Sequence, residues 1–184
     1  MSFFPSLGPD AAVRNAMTLN PAASRLLIAY HTQILRGPSP LTPGERELIA
    51  AFVSGLNACH YCHGVHAATA HAFGIDEAIL EALLADPACG GIDPKLQSIF
   101  RYVRKLTLTP SRMVPGDARQ VFEAGWDERA LHDVISVAAL FNFMNRYVEG
   151  HGLALDDGDL AARGEGLMRE GYDALEAWLP AADR

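Results

Sequence analysis

Thr42-Pro43-Gly44-Glu45-Arg46-Glu47-Leu48-Ile49-Ala50-Ala51-Phe52-Val53 is the stretch on which the fold turns. Thr42 and Glu45 form a capping box, and Pro43 takes the first helical position, where its missing N–H is immaterial. From Leu48 onward the residues are apolar on nearly every face, which predicts a buried helix from Pro43 to about Asn57. Upstream, Ala22–Arg36 carries Leu26, Leu27, Ala29, Tyr30 and Ile34 at helical spacing and stops at Gly37-Pro38. The segment before it reads as a loose, proline-containing N-terminus. Downstream, a helix near Tyr61–Phe73 ends at Gly74, a left-handed cap. Further helices are expected at Asp76–Ala85, after the Asp93-Pro94 cap, at Val114–Ala124, over Leu131–Tyr147 with a stop at Gly150, and over Asp159–Trp178. No run alternates as a strand would. The expectation is an all-α fold, one domain over 1–184 with its core at about 20–155.

The wider composition narrows the function classes. The chain has 184 residues, 49% of them hydrophobic and 20% charged, and a net charge of −7 from 15 Lys and Arg against 22 Asp and Glu. About 70% of the unfolded surface can be buried at this size, so no disulfide or metal staple is required. The negative balance argues against nucleic-acid or anionic-membrane partners. No apolar stretch approaches the roughly 20 residues of a membrane span. The start lacks the pattern of a secretory signal. Three cysteines, two of them three positions apart, fit a cytoplasmic protein with a special pair better than a stapled secreted module.

That pair lies in Cys59-His60-Tyr61-Cys62-His63-Gly64-Val65-His66, and four kinds of chemistry compete for it. Cys59-x-x-Cys62-His63 fits the c-type haem attachment pattern, but the flanks read as buried helices and export is not indicated. A structural metal site could use both cysteines with His63, His66 or His71, yet a lone C-x-x-C is half a zinc tetrahedron. The cysteines could be small inert core residues beside surface histidines. The fourth reading is thiol redox catalysis. A helix start places the second sulfur near unpaired N–H groups, and Cys62 and His66 share one helix face, so the imidazole can take the thiol proton. Glu47 is the candidate to orient His66; it could equally be a first-turn glutamate favoured by the helix dipole. A thioredoxin-like βαβ setting is missing, so such a site must sit on helices.

Glu47, Cys59, Cys62 and His66 together resemble the E-x11-C-x-x-C-x-x-x-H signature of the alkylhydroperoxidase D-like group in the carboxymuconolactone decarboxylase superfamily. Glu45-Arg46-Glu47-Leu48-Ile49-Ala50, Ser54-Gly55-Leu56-Asn57-Ala58-Cys59 and Phe141-Asn142-Phe143-Met144-Asn145-Arg146 resemble its peroxidase-related branch. The resemblance implies a domain of about seven or eight helices that assembles into trimers or hexamers, with a peroxidase or related thiol-oxidoreductase activity needing no haem, metal or other cofactor. It implies Cys62 as peroxidatic thiol, Cys59 as resolving thiol, His66 as base and Glu47 as the residue that holds the relay. One position departs: the second histidine that known members carry between the cysteines is Tyr61 here, so the relay rests on His66. The superfamily's decarboxylases lack the cysteine pair.

The expected cycle is thiolate attack by Cys62 on a small-molecule hydroperoxide, a sulfenic acid, and a Cys59–Cys62 disulfide reopened by an external dithiol or protein reductant. An apolar pocket lined by Phe52, Val65 and Phe141 would take the peroxide. A disulfide oxidoreductase or redox sensor using the same pair, and a structural metal-binding protein, are the rivals. Two helices apolar on nearly all faces suggest a homo-oligomer. Cys89, in a Pro- and Gly-rich loop, reads as a bystander. His132, in the first turn of the long helix, and His151, after its stop, carry no assigned role. Asn142 and Asn145 read as structural contacts between helices.

Overall fold

The computed structural model describes residues 2–86, 88, 92–155 and 158–181, and no strand occurs among them. The fold is all-α. In chain order the α-helices are α1 (Val13–Met17), α2 (Pro21–Arg36), α3 (Pro43–Leu56), α4 (His60–Ala72), α5 (Glu77–Ala85), α6 (Pro94–Leu108), α7 (Pro115–Glu123), α8 (Glu128–His151) and α9 (Leu160–Glu170). Short 3₁₀ turns follow α6 at Pro110–Arg112 and α9 at Asp173–Trp178. No helix is long and apolar enough to cross a membrane, among the described residues.

The capping box that opens α3 forms as expected: Glu45 N–H donates to Thr42 Oγ1, and Thr42 N–H donates back to Glu45 Oε2 at 2.7 Å. Every residue from Arg46 to Ser54 is buried. Helix α3 is the axis of the molecule, packed against α4, α8, α6, α5 and α2. One chain therefore covers its all-round apolar surface, and that surface no longer calls for a second copy. Helix α8 spans 24 residues, about 36 Å, and lies across α3, α6, α2 and α4.

Helix α4 is held between α3 and α9. Gly164 makes the α4–α9 contact possible, because a Cβ there would sit 2.6 Å from the Ala68 carbonyl group and 2.9 Å from Thr69 N. The expected Asp159–Trp178 helix is broken. Gly171 adopts φ 71, which ends α9 and turns the chain into the 3₁₀ segment. Two other expectations need correction. The long helix runs through Gly150 to His151 and ends at Gly152 (φ 64), so His151 is its last residue, and His132 lies beyond its first turn. The N-terminal segment is not wholly loose, for α1 buries Val13, Ala16 and Met17.

The α3–α4 junction contains a backbone motif that the sequence conceals. Ala58 N–H donates to Gly55 O at 3.1 Å and Cys59 N–H to Ser54 O at 3.0 Å, the two bonds of a Schellman ending. The left-handed position is filled by Ala58, φ 54. This turn delivers Cys59 directly as the N-cap of α4.

Candidate active site

Helix α4 presents Cys62 and His66 one turn apart, both buried. Each lines a cavity of about 270 Å³. Val65, Phe141, Met144, Ile28, His31 and Tyr172 form its inner wall, and α1 and the segment Arg163–Trp178 supply most of the remainder. Val65 and Phe141 thus sit where the sequence suggested. Phe52 does not: it is fully buried elsewhere, edge-on to Phe100 at 5.0 Å. A helix buried on all faces gives no periodic clue to which face meets a cavity.

Glu47 reaches the site from the first half of α3 and is 0% exposed. Its Oε2 accepts from His66 Nδ1 at 2.6 Å. A carboxylate is acceptor-only, so His66 carries its proton on Nδ1, which leaves Nε2 as the other ring nitrogen for chemistry. Glu47 Oε1 is bound by Arg36 Nη1 at 2.7 Å and by the Tyr172 hydroxyl, which donates at 2.9 Å. Burial alone would raise the Glu47 pKa, but His66 and Arg36 beside it more than offset this and hold it below the ordinary value. The Arg36 guanidinium stacks over Phe73 and Tyr172 at 5.0 and 4.9 Å. Burial, and next the Glu47 charge, raise the Tyr172 hydroxyl well above the usual phenol value, against the opposing effect of Arg36.

The two thiols are free and buried. Cys62 is 4% exposed and lines the cavity, whereas Cys59 is 0% exposed and lies outside its lining. Their sulfurs share a hydrogen bond. Receiving that bond, with help from the Cys62 backbone N–H, lowers the Cys59 thiol, against the opposing effects of burial and Glu149. Donating it, together with burial, pushes the Cys62 thiol up, while the Asn145 amide works to lower it. The hydrogen bond between the sulfurs thus favours a charge on Cys59, the N-cap, while Cys62 is the thiol that lines the cavity.

Asn145 joins the thiols to the frame. Its amide donates to Ser54 Oγ at 2.9 Å, and its carbonyl accepts from Asn57 Nδ2 at 2.8 Å. Asn142 also accepts from Asn57, at 3.1 Å. Both asparagines are thus α3–α8 contacts, and Asn145 touches Cys62 besides. The four clustered histidines separate: His60 is exposed, His63 bonds Ala51 O at 3.1 Å, and His71 is exposed, so His66 alone of the four reaches the cavity. Among the described residues no group of three or more His, Cys, Asp or Glu is placed to hold a metal ion. Cys89 lies outside the described residues.

Sequence reasoning missed Tyr172, Arg36 and His31. His31 shares the buried face of α2 with Ser24, Ile28 and Leu35, and that helical spacing was the available signal. Tyr172 has no local signal, because its partner Glu47 is 125 residues away.

The chain is similar to known proteins in sequence and in fold. Residues 21–105 match the carboxymuconolactone decarboxylase family. The uncharacterized protein YdfG of Bacillus subtilis (strain 168) is 29% identical over 108 residues, 59% of this chain and 74% of that protein. An uncharacterized peroxidase-related protein from Silicibacter sp. TM1040 shares the fold with a TM-score of 0.74 and 24% identity, over 80% of this chain and 79% of that one. A peroxidase-related protein from Ralstonia eutropha JMP134, described as an alkylhydroperoxidase AhpD core, does so with a TM-score of 0.72 and 22% identity, over 81% and 78%. The likeness to the carboxymuconolactone decarboxylase family thus covers residues 21–105, a little under half of the chain, and the likeness to the two solved structures is one of fold.

Proposed function

We propose that the protein is a thiol-dependent peroxidase that reduces alkyl hydroperoxides or hydrogen peroxide. One observation carries this: Cys62 and His66 open on a single largely apolar cavity, with Cys59 bonded behind Cys62 and Glu47 bonded behind His66. The descriptions of the two fold neighbours as peroxidase-related support it.

In this mechanism His66 Nε2 takes one proton from the thiol pair through Cys62, and Glu47 stabilises the resulting imidazolium. The remaining proton is shared between the sulfurs. When it sits on Cys59, the Cys62 thiolate faces the cavity with the Asn145 amide against it. Cys62 Sγ attacks the distal oxygen of the hydroperoxide; the S–O bond forms as the O–O bond breaks, and the leaving alkoxide takes the His66 proton. Cys62 sulfenic acid then condenses with the Cys59 thiol, releasing water and forming the disulfide. An external dithiol or protein reductant reopens it. A cavity near the lower end of the roughly 300–1,000 Å³ range of ligand pockets suits one small organic hydroperoxide.

Stopped-flow consumption of cumene hydroperoxide tests the assignment. Cys62→Ser is expected to lower the rate at least a hundredfold, and Cys59→Ser to retain one turnover that ends in a trapped sulfenate. Equal rates for wild type and Cys62→Ser would sink it. A disulfide oxidoreductase is the second reading, favoured by the lowered thiol of Cys59 at a helix N-cap. Slow peroxide reduction beside fast exchange with a small disulfide would select it.

A further inference from the structure

A second imidazole lines the cavity, and the mechanism above does not use it. His31 is 6% exposed and belongs to α2. Its Nδ1 lies 2.8 Å from Leu27 O, a carbonyl of its own helix. A carbonyl only accepts, so the proton sits on Nδ1 and Nε2 carries a lone pair. His31 and His66 flank the same two rings. Phe141 lies 6.2 Å from His31 and 4.3 Å from His66, and Tyr172 lies 5.6 and 6.4 Å from them, between ring centroids. The two histidines differ in their backing. His66 rests on the Glu47 carboxylate, which stabilises a proton gained, whereas His31 rests on a neutral carbonyl inside an apolar wall. Burial accordingly lowers the His31 pKa from 6.5 to about 4, which keeps it an uncharged acceptor at neutral pH. Opposite environments around two like groups commonly mark different roles in one site.

We propose that His31 Nε2 accepts a hydrogen bond from the O–H of the bound hydroperoxide and so positions its distal oxygen for Cys62; this rests on the peroxidase reading. A hydroperoxide carries its hydrogen on the oxygen that the thiolate attacks. That hydrogen stays on the same oxygen and ends on the sulfenic acid: Cys62 thiolate, ROOH and protonated His66 give Cys62 sulfenic acid, ROH and neutral His66. An acceptor is therefore needed at the distal oxygen and a proton donor at the other. A protonated His31 could not accept there. The substrate class this selects is the hydroperoxide with a free O–H, over dialkyl peroxides.

The test separates peroxide reduction from thiol reactivity in the intact chain. His31→Asn keeps an amide near the Nδ1 position, able to donate to Leu27 O, and removes the far acceptor; His31→Gln places an amide oxygen near Nε2. With cumene hydroperoxide, His31→Asn is expected to be at least tenfold slower than wild type and His31→Gln within about threefold of it. Alkylation of Cys62 by iodoacetamide should stay within about twofold in both. Wild type should oxidise at least tenfold more slowly with di-tert-butyl peroxide than with tert-butyl hydroperoxide, a measurement that needs no variant. Equal peroxide rates in wild type and both variants, a parallel loss of alkylation, or comparable rates with the dialkyl peroxide would each overturn the role of His31 alone. A wild type inert to every hydroperoxide would overturn the peroxidase reading, and this role with it.

Discussion

The α3–α4 unit and the segment from α9 to Trp178 contribute to the same cavity in opposite ways. Glu47, Cys59, Cys62 and His66 lie within 20 residues on two adjoining helices, whereas Arg163 to Trp178 supply mainly wall and one hydroxyl. The first region holds groups that move protons and sulfur bonds; the second encloses them. They meet at Glu47, which accepts from His66 within the first region and from Tyr172 in the second. Chemistry here follows from short spacing along the chain, and enclosure from contacts that span most of it.

Removing the shared group should have the largest effect. Glu47→Ala leaves Arg36 and Tyr172 buried without their acceptor, and a loss of about 3–5 kcal/mol in urea unfolding at pH 7 is expected. Because the Glu47 pKa is depressed in the fold, its contribution is complete above its unfolded value of 4.5 and is lost as pH falls below it. The gap between wild type and Glu47→Ala should therefore narrow in acid. A gap that widens below pH 4 would show that the carboxylate is not held ionised.

Tyr172→Phe sharpens the comparison by keeping the ring over Arg36 while deleting the hydroxyl. A loss of about 2 kcal/mol is expected, the range for a hydrogen bond to a charged group. Proteolysis between α8 and α9 should become faster than in wild type while alkylation of Cys62 changes little. Unchanged stability would mean that the C-terminal segment is docked by its apolar side chains and by Thr32, which donates to Asp173 Oδ1 at 2.6 Å.

The smallest effect belongs wholly to the first region. Ala58→Gly should raise stability by up to about 1 kcal/mol, since only glycine takes a left-handed φ without a Cβ penalty. Thermal unfolding monitored by circular dichroism reads it, and a lower midpoint would place some unrecognised constraint on Ala58.

The contrast also explains what the sequence could convey. The α3 capping box, the Gly37 stop and the shared face of Cys62 and His66 are local signals, and each appears in the fold. Glu47 was legible as a candidate because eleven residues lie between it and Cys59, in a pattern that resembles a family signature. Tyr172 was not, because it meets Glu47 only once the chain beyond α9 folds back on the core, and Arg36 was not, because its pairing with Glu47 depends on how α2 turns onto α3. Phe52 was misplaced because a fully buried helix has no polar face to set its orientation. The N-cap position of Cys59 was not legible, because the Ala58 turn sets it without a glycine to announce it.

Glu47 already accepts from three fixed donors on three separate elements. A carboxylate held in that way can neither rotate nor trade partners when a proton arrives on His66. The reorganisation that water would have to undergo at that moment has been completed during folding, so the reorganisation energy of proton transfer should be small. Replacing His66 Nδ1 as a partner would free one oxygen of Glu47 but leave the other clamped, and the site would keep its shape while losing its proton acceptor.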